Sequence, residues 1–143
     1  MKITRKADAV WNGGIKDGKG AISTGSGALK AYPYGFASRF EGLPGTNPEE
    51  LLGAAHAGCF TMALSLMLTE AQLPPAELAT SAEVTLEKVG AGFEITGVTL
   101  TLRGKVPGAT KEKFLELAEK AKANCPLSKV IRAPITLKSE LVS

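Results

Sequence analysis

Histidine, cysteine and tryptophan are scarce in this chain, and each shortage excludes a class of protein. Of 143 residues, one is His, two are Cys and one is Trp. Two cysteines are too few for the disulfide framework of a small secreted scaffold, so an apolar core must hold the fold. His56, Cys59 and Cys125 offer three zinc ligands, but there is no C-x-x-C, no H-E-x-x-H and no second His to complete a set. A Ser-His-Asp hydrolase would have to be built on His56, and no G-x-S-x-G elbow exists. Charge is never concentrated either: seventeen Lys and Arg against fourteen Asp and Glu give a net +3. Their scatter, without interleaved aromatics, argues against nucleic acid as a partner. Residues 1–11 lack the apolar core of a signal peptide, so the expected location is the cytoplasm.

What is present fits one ordinary domain over residues 1–143, with 44% hydrophobic and 22% charged residues. One apolar run, Leu51 to Leu68, reaches the length of a membrane span. It contains Gly53, His56, Gly58, Cys59, Thr61 and Ser65 and lies between Glu49, Glu50 and Glu70. We therefore read it as a buried helix of a soluble protein, with no membrane partner.

Periodicity supplies the rest of the outline. Ile3, Ala7, Ala9 and Trp11, the turn at Gly13 and Gly14, and Ala21 to Thr24 read as short antiparallel strands. Asn47-Pro48-Glu49-Glu50 is a helix start, with a cap, a proline at the first helical position and two carboxylates in the first turn. The helix is predicted to end near Ala71, before Pro74-Pro75. Ala82, Val84 and Leu86, then Phe93 and Ile95, then Val98, Leu100 and Leu102 give a long hairpin turning at Gly90 and Gly92. Thr110 caps a second helix with Phe114, Ala118, Ala121 and Cys125 on one face. Cys125-Pro126 opens a short helix through about Ile131, and Ile135, Leu137 and Leu141 mark a last strand. The class is α+β, with antiparallel sheets around a long buried helix.

That helix carries an oligomer argument. It is apolar or small on nearly every side, and one chain of this size has little with which to cover it. Gly53, Ala57, Thr61 and Ser65 are spaced by four, as are Ala54 and Gly58, so two copies can approach closely along these rows. A homodimer is the economical expectation.

Two motifs need weighing. Gly13 to Gly20 comes within one residue of a phosphate-binding loop, but Gly20 stands where the hydroxyl belongs and no helix follows, so we read a turn. Cys59 sits among Ala55, Gly58, Phe60 and Met62. A buried cysteine is ordinarily a small hydrophobe whose thiol is made inert by apolar surroundings, and a reactive one needs a cation nearby. Arg39, in the aromatic stretch Tyr34 to Phe40, is the arginine whose setting differs from that of the other three.

The segment Tyr34-Gly35-Phe36, Arg39-Phe40-Glu41-Gly42 and Gly45-Thr46-Asn47-Pro48-Glu49-Glu50-Leu51-Leu52-Gly53-Ala54-Ala55-His56-Ala57-Gly58-Cys59-Phe60-Thr61-Met62-Ala63-Leu64-Ser65 resembles the signature of the OsmC/Ohr family. These are the osmotically inducible protein C and organic hydroperoxide resistance proteins. The likeness runs on to Lys120-Ala121-Lys122-Ala123-Asn124-Cys125-Pro126 and is closest to the OsmC branch, because Trp11 to Lys19 lacks the early arginine of the Ohr branch.

The resemblance implies an OsmC-like fold in an intertwined homodimer and a thiol-dependent peroxidase protecting against oxidative and osmotic stress. It implies Cys59 as the peroxidatic thiol, Cys125 as the resolving thiol, and Arg39 and Glu49 as their polar partners. Phe36, Phe40 and Met62 are expected to line the approach of an organic hydroperoxide. No metal or cofactor is implied; the reductant is an external dithiol, with a dihydrolipoyl-type donor less directly indicated. A non-enzymatic carrier of hydrophobic ligands is the alternative. Along one helix, Glu49 and Cys59 are separated by a rise of about 15 Å, so the expected sites are composite, with Glu49 acting on the partner's Cys59.

Overall fold

A computed structural model describes residues 1–142, which fall into two compact units, Met1–Leu51 and residues 52–142. In the first, β1 (Ala7–Asn12), β2 (Lys19–Thr24) and β3 (Tyr32–Tyr34) form an antiparallel sheet in the order β1-β2-β3. The glycine-rich segment is the β1–β2 turn, closed by the Gly18 N–H on the Gly14 carbonyl at 2.8 Å. Gly20 is required there, since a Cβ would lie 2.4 Å from the Tyr34 ring. The aromatic stretch contains a five-residue helix, α1 (Phe36–Phe40).

Helix α2 (Pro48–Glu70) begins in the first unit and runs on into the second. Its start is as expected: the Asn47 side-chain oxygen accepts the Glu50 N–H at 2.8 Å, and Pro48 occupies the first turn, where no N–H is needed. Its end is a left-handed turn at Gln72 (φ 61°), with the Leu73 N–H returning to the Leu68 carbonyl at 2.8 Å. Pro74-Pro75 then prevents any continuation.

The second unit continues with β4 (Glu77–Val89), β5 (Gly92–Lys105), α3 (Lys111–Asn124), α4 (Pro126–Val130) and β6 (Ile135–Val142). The β4–β5 hairpin is antiparallel, with a register shift at Thr85/Leu86. The last strand departs from the antiparallel expectation, because β6 pairs parallel with β5. The intervening α3–α4 crossover returns the chain so that it enters the sheet in the direction of β5. Period-two burial of Val98, Leu100 and Leu102 on β5 meets Phe60, Leu64 and Leu68 of α2 and Phe114, Ala118, Ala121 and Cys125 of α3 in one core. Each fully buried Leu or Phe stabilises this core by about 1.5–3 kcal/mol. Gly104 admits the Phe114 ring, which a Cβ would meet at 2.7 Å.

Helix α2 is long and apolar enough to cross a membrane by length and composition, yet it supplies three of the core's fully buried side chains. Its two rows of small residues have different fates. Gly53 packs on Ala82 and Val84 of β4, and the Thr61 hydroxyl donates to the Thr80 hydroxyl at 2.7 Å. In that row Gly53 is buried against β4, while Ala57, Thr61 and Ser65 are half-buried. Ala54, Gly58, Met62 and Leu66 stay exposed, Met62 at 77% and Leu66 at 59%.

Candidate active site

In the first unit, α1 is held by a side chain rather than by its own length. The Ser38 hydroxyl accepts the Gly35 N–H at 2.9 Å and donates to the Thr46 carbonyl at 2.8 Å, tying α1 to the segment that caps α2. This fixes Arg39 opposite the first turn of α2. Both Nε and Nη2 of Arg39 donate to one oxygen of Glu49, at 2.9 and 2.7 Å. Glu49 is buried, and its other carboxylate oxygen has no hydrogen-bond partner among the described residues. The guanidinium lies 5.4 Å from the Phe40 ring centroid, and Phe36 packs against Phe40 with centroids 5.0 Å apart. The arginine is thus fixed by a charge-assisted fork on one side and an aromatic face on the other.

In the second unit, the two cysteines are both free thiols, and Cys59 packs against the core cluster that contains the buried Cys125. Cys59 is half-buried at the middle of α2, and Cys125 is fully buried where α3 ends and α4 begins. Pro126 places Cys125 as the cap of α4, where its sulfur accepts the Ser128 N–H at 3.3 Å. The Ser128 hydroxyl lies 3.3 Å from the same sulfur and 2.8 Å from His56 Nε2.

The two thiols are shifted in opposite senses. Burial pushes the Cys59 thiol up, the Leu127 N–H pulls it down, and its contact with Cys125 pushes it up again, leaving it raised. Burial also pushes Cys125 up, but the Ser128 hydroxyl and N–H, the Cys59 thiol and the Leu127 N–H outweigh it, leaving it lowered. Two free thiols at one core, one the more acidic, can close to a disulfide once the other is oxidised.

Similarity to known proteins agrees with this chemistry. The family model described as OsmC-like protein matches residues 40–140, and the chain is 54% identical to Peroxiredoxin OsmC of Escherichia coli (strain K12) over 143 residues, the whole of both chains. The chain belongs to the OsmC family. It is also 36% identical over 102 residues to the organic hydroperoxide resistance protein OhrB of Bacillus subtilis (strain 168), covering 71% of this chain and 73% of that protein. The crystal structure of B. subtilis OhrB superposes with a TM-score of 0.68 at 30% identity, covering 96% of this chain and 98% of the other. The OsmC-like α+β fold is that of the family.

Among the residues expected at the site, Arg39 and Glu49 form one pair, Cys59 and Cys125 another, and Phe36 and Phe40 a third. Met62 is three residues beyond Cys59 on α2, at the spacing of helix-surface neighbours, and is exposed. Two further residues stand beside the thiols and are not among those expected at the site. His56, weighed in the sequence as a zinc ligand or hydrolase residue, is fully buried and is the hydrogen-bond partner of Ser128. Ser128 was overlooked, although Cys125-Pro126-Leu127-Ser128 places a hydroxyl at the third position after a cap, where side chains turn back toward the capping residue.

Proposed function

We propose that this chain is a thiol-dependent peroxidase that reduces organic hydroperoxides, and hydrogen peroxide less well, through Cys59 and Cys125. The observation that carries the reading is the meeting of two free thiols at one core, Cys59 on α2 packed against the cluster that holds Cys125, in a chain of this family. The Cys59 thiolate attacks the outer peroxide oxygen, the O–O bond breaks and an alkoxide departs, taking a proton to leave as alcohol. Cys59 becomes a sulfenic acid, Cys125 condenses with it, and water leaves as the disulfide forms. An external dithiol, of the dihydrolipoyl type in our reading, restores both thiols. The physiological role is protection against oxidative and osmotic stress.

The influences on Cys59 are burial, the Leu127 N–H and Cys125, and none is a cation. Ionising its thiol therefore calls for a guanidinium, and Arg39, oriented by Glu49, is our candidate. We place it in trans. In this reading the exposed row Ala54, Gly58, Met62 and Leu66 packs against its copy in a homodimer, and Arg39 and Glu49 of one protomer serve Cys59 of its partner. There the guanidinium also faces the charge developing on the leaving alkoxide. Phe36, Phe40 and Met62 supply the apolar approach. In this reading residues 1–143 act as one domain, in the cytoplasm, without cofactor, metal, nucleic acid or membrane.

The test is steady-state consumption of tert-butyl hydroperoxide and of hydrogen peroxide with dithiothreitol as reductant. The organic peroxide should show the higher kcat/KM. Equal or reversed preference would remove the apolar approach, and failure to consume either would return the chain to the class of hydrophobic-ligand carriers.

A further inference from the structure

Two buried polar groups stand behind the resolving cysteine, and the reaction as described so far uses neither. The Ser128 hydroxyl is 3.3 Å from Cys125 Sγ and 2.8 Å from His56 Nε2. His56 is fully buried, and its Nδ1 has no hydrogen-bond partner among the described residues. Burial holds its imidazole below the ordinary value, so at neutral pH the ring is uncharged and carries one proton. That proton has two possible seats. On Nδ1 it would be a buried donor with nothing to receive it; on Nε2 it donates to Ser128 and leaves Nδ1 as an unused acceptor. Buried orphan donors are the rarer of the two defects. The Nε2–H tautomer therefore prevails, and the Ser128 oxygen accepts from the imidazole. The hydroxyl hydrogen is then free to point at the other neighbour, Cys125 Sγ.

We infer that His56 orients the Ser128 hydroxyl as a donor to Cys125, making Ser128 a catalytic residue of disulfide formation and His56 its positioning residue. This rests on the reading of Cys125 as the resolving thiol. With the Ser128 N–H also on the sulfur at 3.3 Å, the Cys125 thiolate receives two donors from one residue. The step balances simply. Cys125 gives up its proton and attacks the Cys59 sulfur of the sulfenic acid. The S–S bond forms, the S–O bond breaks, and the departing hydroxide takes a proton to leave as water. The Cys125 sulfur is oxidised and the Cys59 sulfur reduced. The titratable groups facing this thiolate are Cys59 on α2 and, through Ser128, His56 on α2; α4 contributes Ser128 and the Leu127 N–H, and no charged side chain is among the influences on Cys125.

The experiment mixes the reduced protein rapidly with one equivalent of tert-butyl hydroperoxide. It stops samples with acid or with dimedone and reads sulfenic acid and disulfide by intact mass, from about pH 6 to pH 9. The disulfide step is taken relative to the sulfenic step in the same time course, so a general loss of structure is not mistaken for an effect on resolution. In Ser128→Ala the relative rate at neutral pH should fall roughly tenfold, the loss of one hydrogen bond to a charged group. It should recover as the pH rises and the thiol ionises unaided. His56→Gln, whose amide offers an N–H near the Nε2 position, should retain most of the rate, whereas His56→Leu should resemble Ser128→Ala. An unchanged relative rate in Ser128→Ala overturns the inference, and so does a His56→Gln as slow as His56→Leu. If the wild-type protein accumulates sulfenic acid and never forms the disulfide, the reading of Cys125 itself falls, and this inference with it.

Discussion

The middle of α2 and the junction of α3 with α4 each hold one cysteine, and the two regions treat the same side chain oppositely. Cys59 is the more exposed of the two, yet its thiol is pushed up; Cys125 is fully buried, yet its thiol is brought down. Burial opposes ionisation at both places. The difference lies in donors. A residue in the middle of a helix sees backbone N–H groups already committed to their own carbonyls. A residue at a cap sees N–H groups with no intrahelical partner, and Cys125 takes one of them, from Ser128. Position along the backbone outweighs exposure in deciding the direction in which each thiol is shifted, and a mid-helix thiol must take any stabilisation from beyond its own helix.

The sharpest way to break this comparison is to remove each thiol in turn. Cys59→Ser should lower peroxide turnover on the order of 10³-fold or more, since a hydroxyl cannot replace the thiolate as nucleophile. Retention of most activity would mean that the more acidic Cys125 is the attacking residue and that the roles are reversed. Cys125→Ser should complete one fast reduction and then stall, its Cys59 sulfenic acid passing to sulfinic acid with excess peroxide. Sustained turnover at the original rate with dithiothreitol would show that the reductant reaches Cys59 directly.

A smaller effect sharpens the claim that Cys59 borrows its cation. Glu49→Gln removes the carboxylate that accepts both Arg39 donors and should reduce kcat/KM roughly 10- to 100-fold, the worth of a hydrogen bond to a charged group. Mixing Glu49→Gln with Cys59→Ser under conditions of subunit exchange should restore activity, because each heterodimer then holds one site with both wild-type residues. A mixture no more active than its parts would place the pair and the thiol in the same chain.

The smallest effect concerns stability and comes from the histidine beside Ser128. Burial keeps the folded His56 below its ordinary value near 6.5. Below that pH the unfolded chain takes up a proton that the fold refuses, so stability is fully present above it and declines on acidification. Urea midpoints measured at about pH 7.5 and pH 5.5 should drop less in His56→Gln than in the wild-type protein. An equal drop would mean that the imidazole is protonated in the fold.

The parts of this molecule readable from sequence are those in which neighbours along the chain decide the outcome. Asn47-Pro48 and Pro74-Pro75 bound α2 because caps and prolines act within a few residues, and alternation marks β4 and β5 because one face of each strand is buried. Cys125-Pro126 was legible as the start of a short helix for the same reason. Helix α1 was not, since its five residues are too short for a period and depend on Ser38 reaching Thr46. The parallel pairing of β6 depends on a crossover, and the Ser128–His56 bond joins residues 72 positions apart. Spacing by four marks two rows of small residues on α2, but only tertiary packing says that Gly53 of one row lies buried on β4 while Ala54 and Gly58 of the other stay exposed.

The central claim is that Cys59 and Cys125 form a working redox pair. Its most direct test is the intact mass of the fully reduced protein after brief exposure to one equivalent of an organic hydroperoxide, with peptide mapping of the product. The account predicts a loss of two hydrogens, no added oxygen, and a peptide linking Cys59 to Cys125. An unchanged mass, or a stable gain of oxygen at Cys59 with Cys125 still a free thiol, would contradict it.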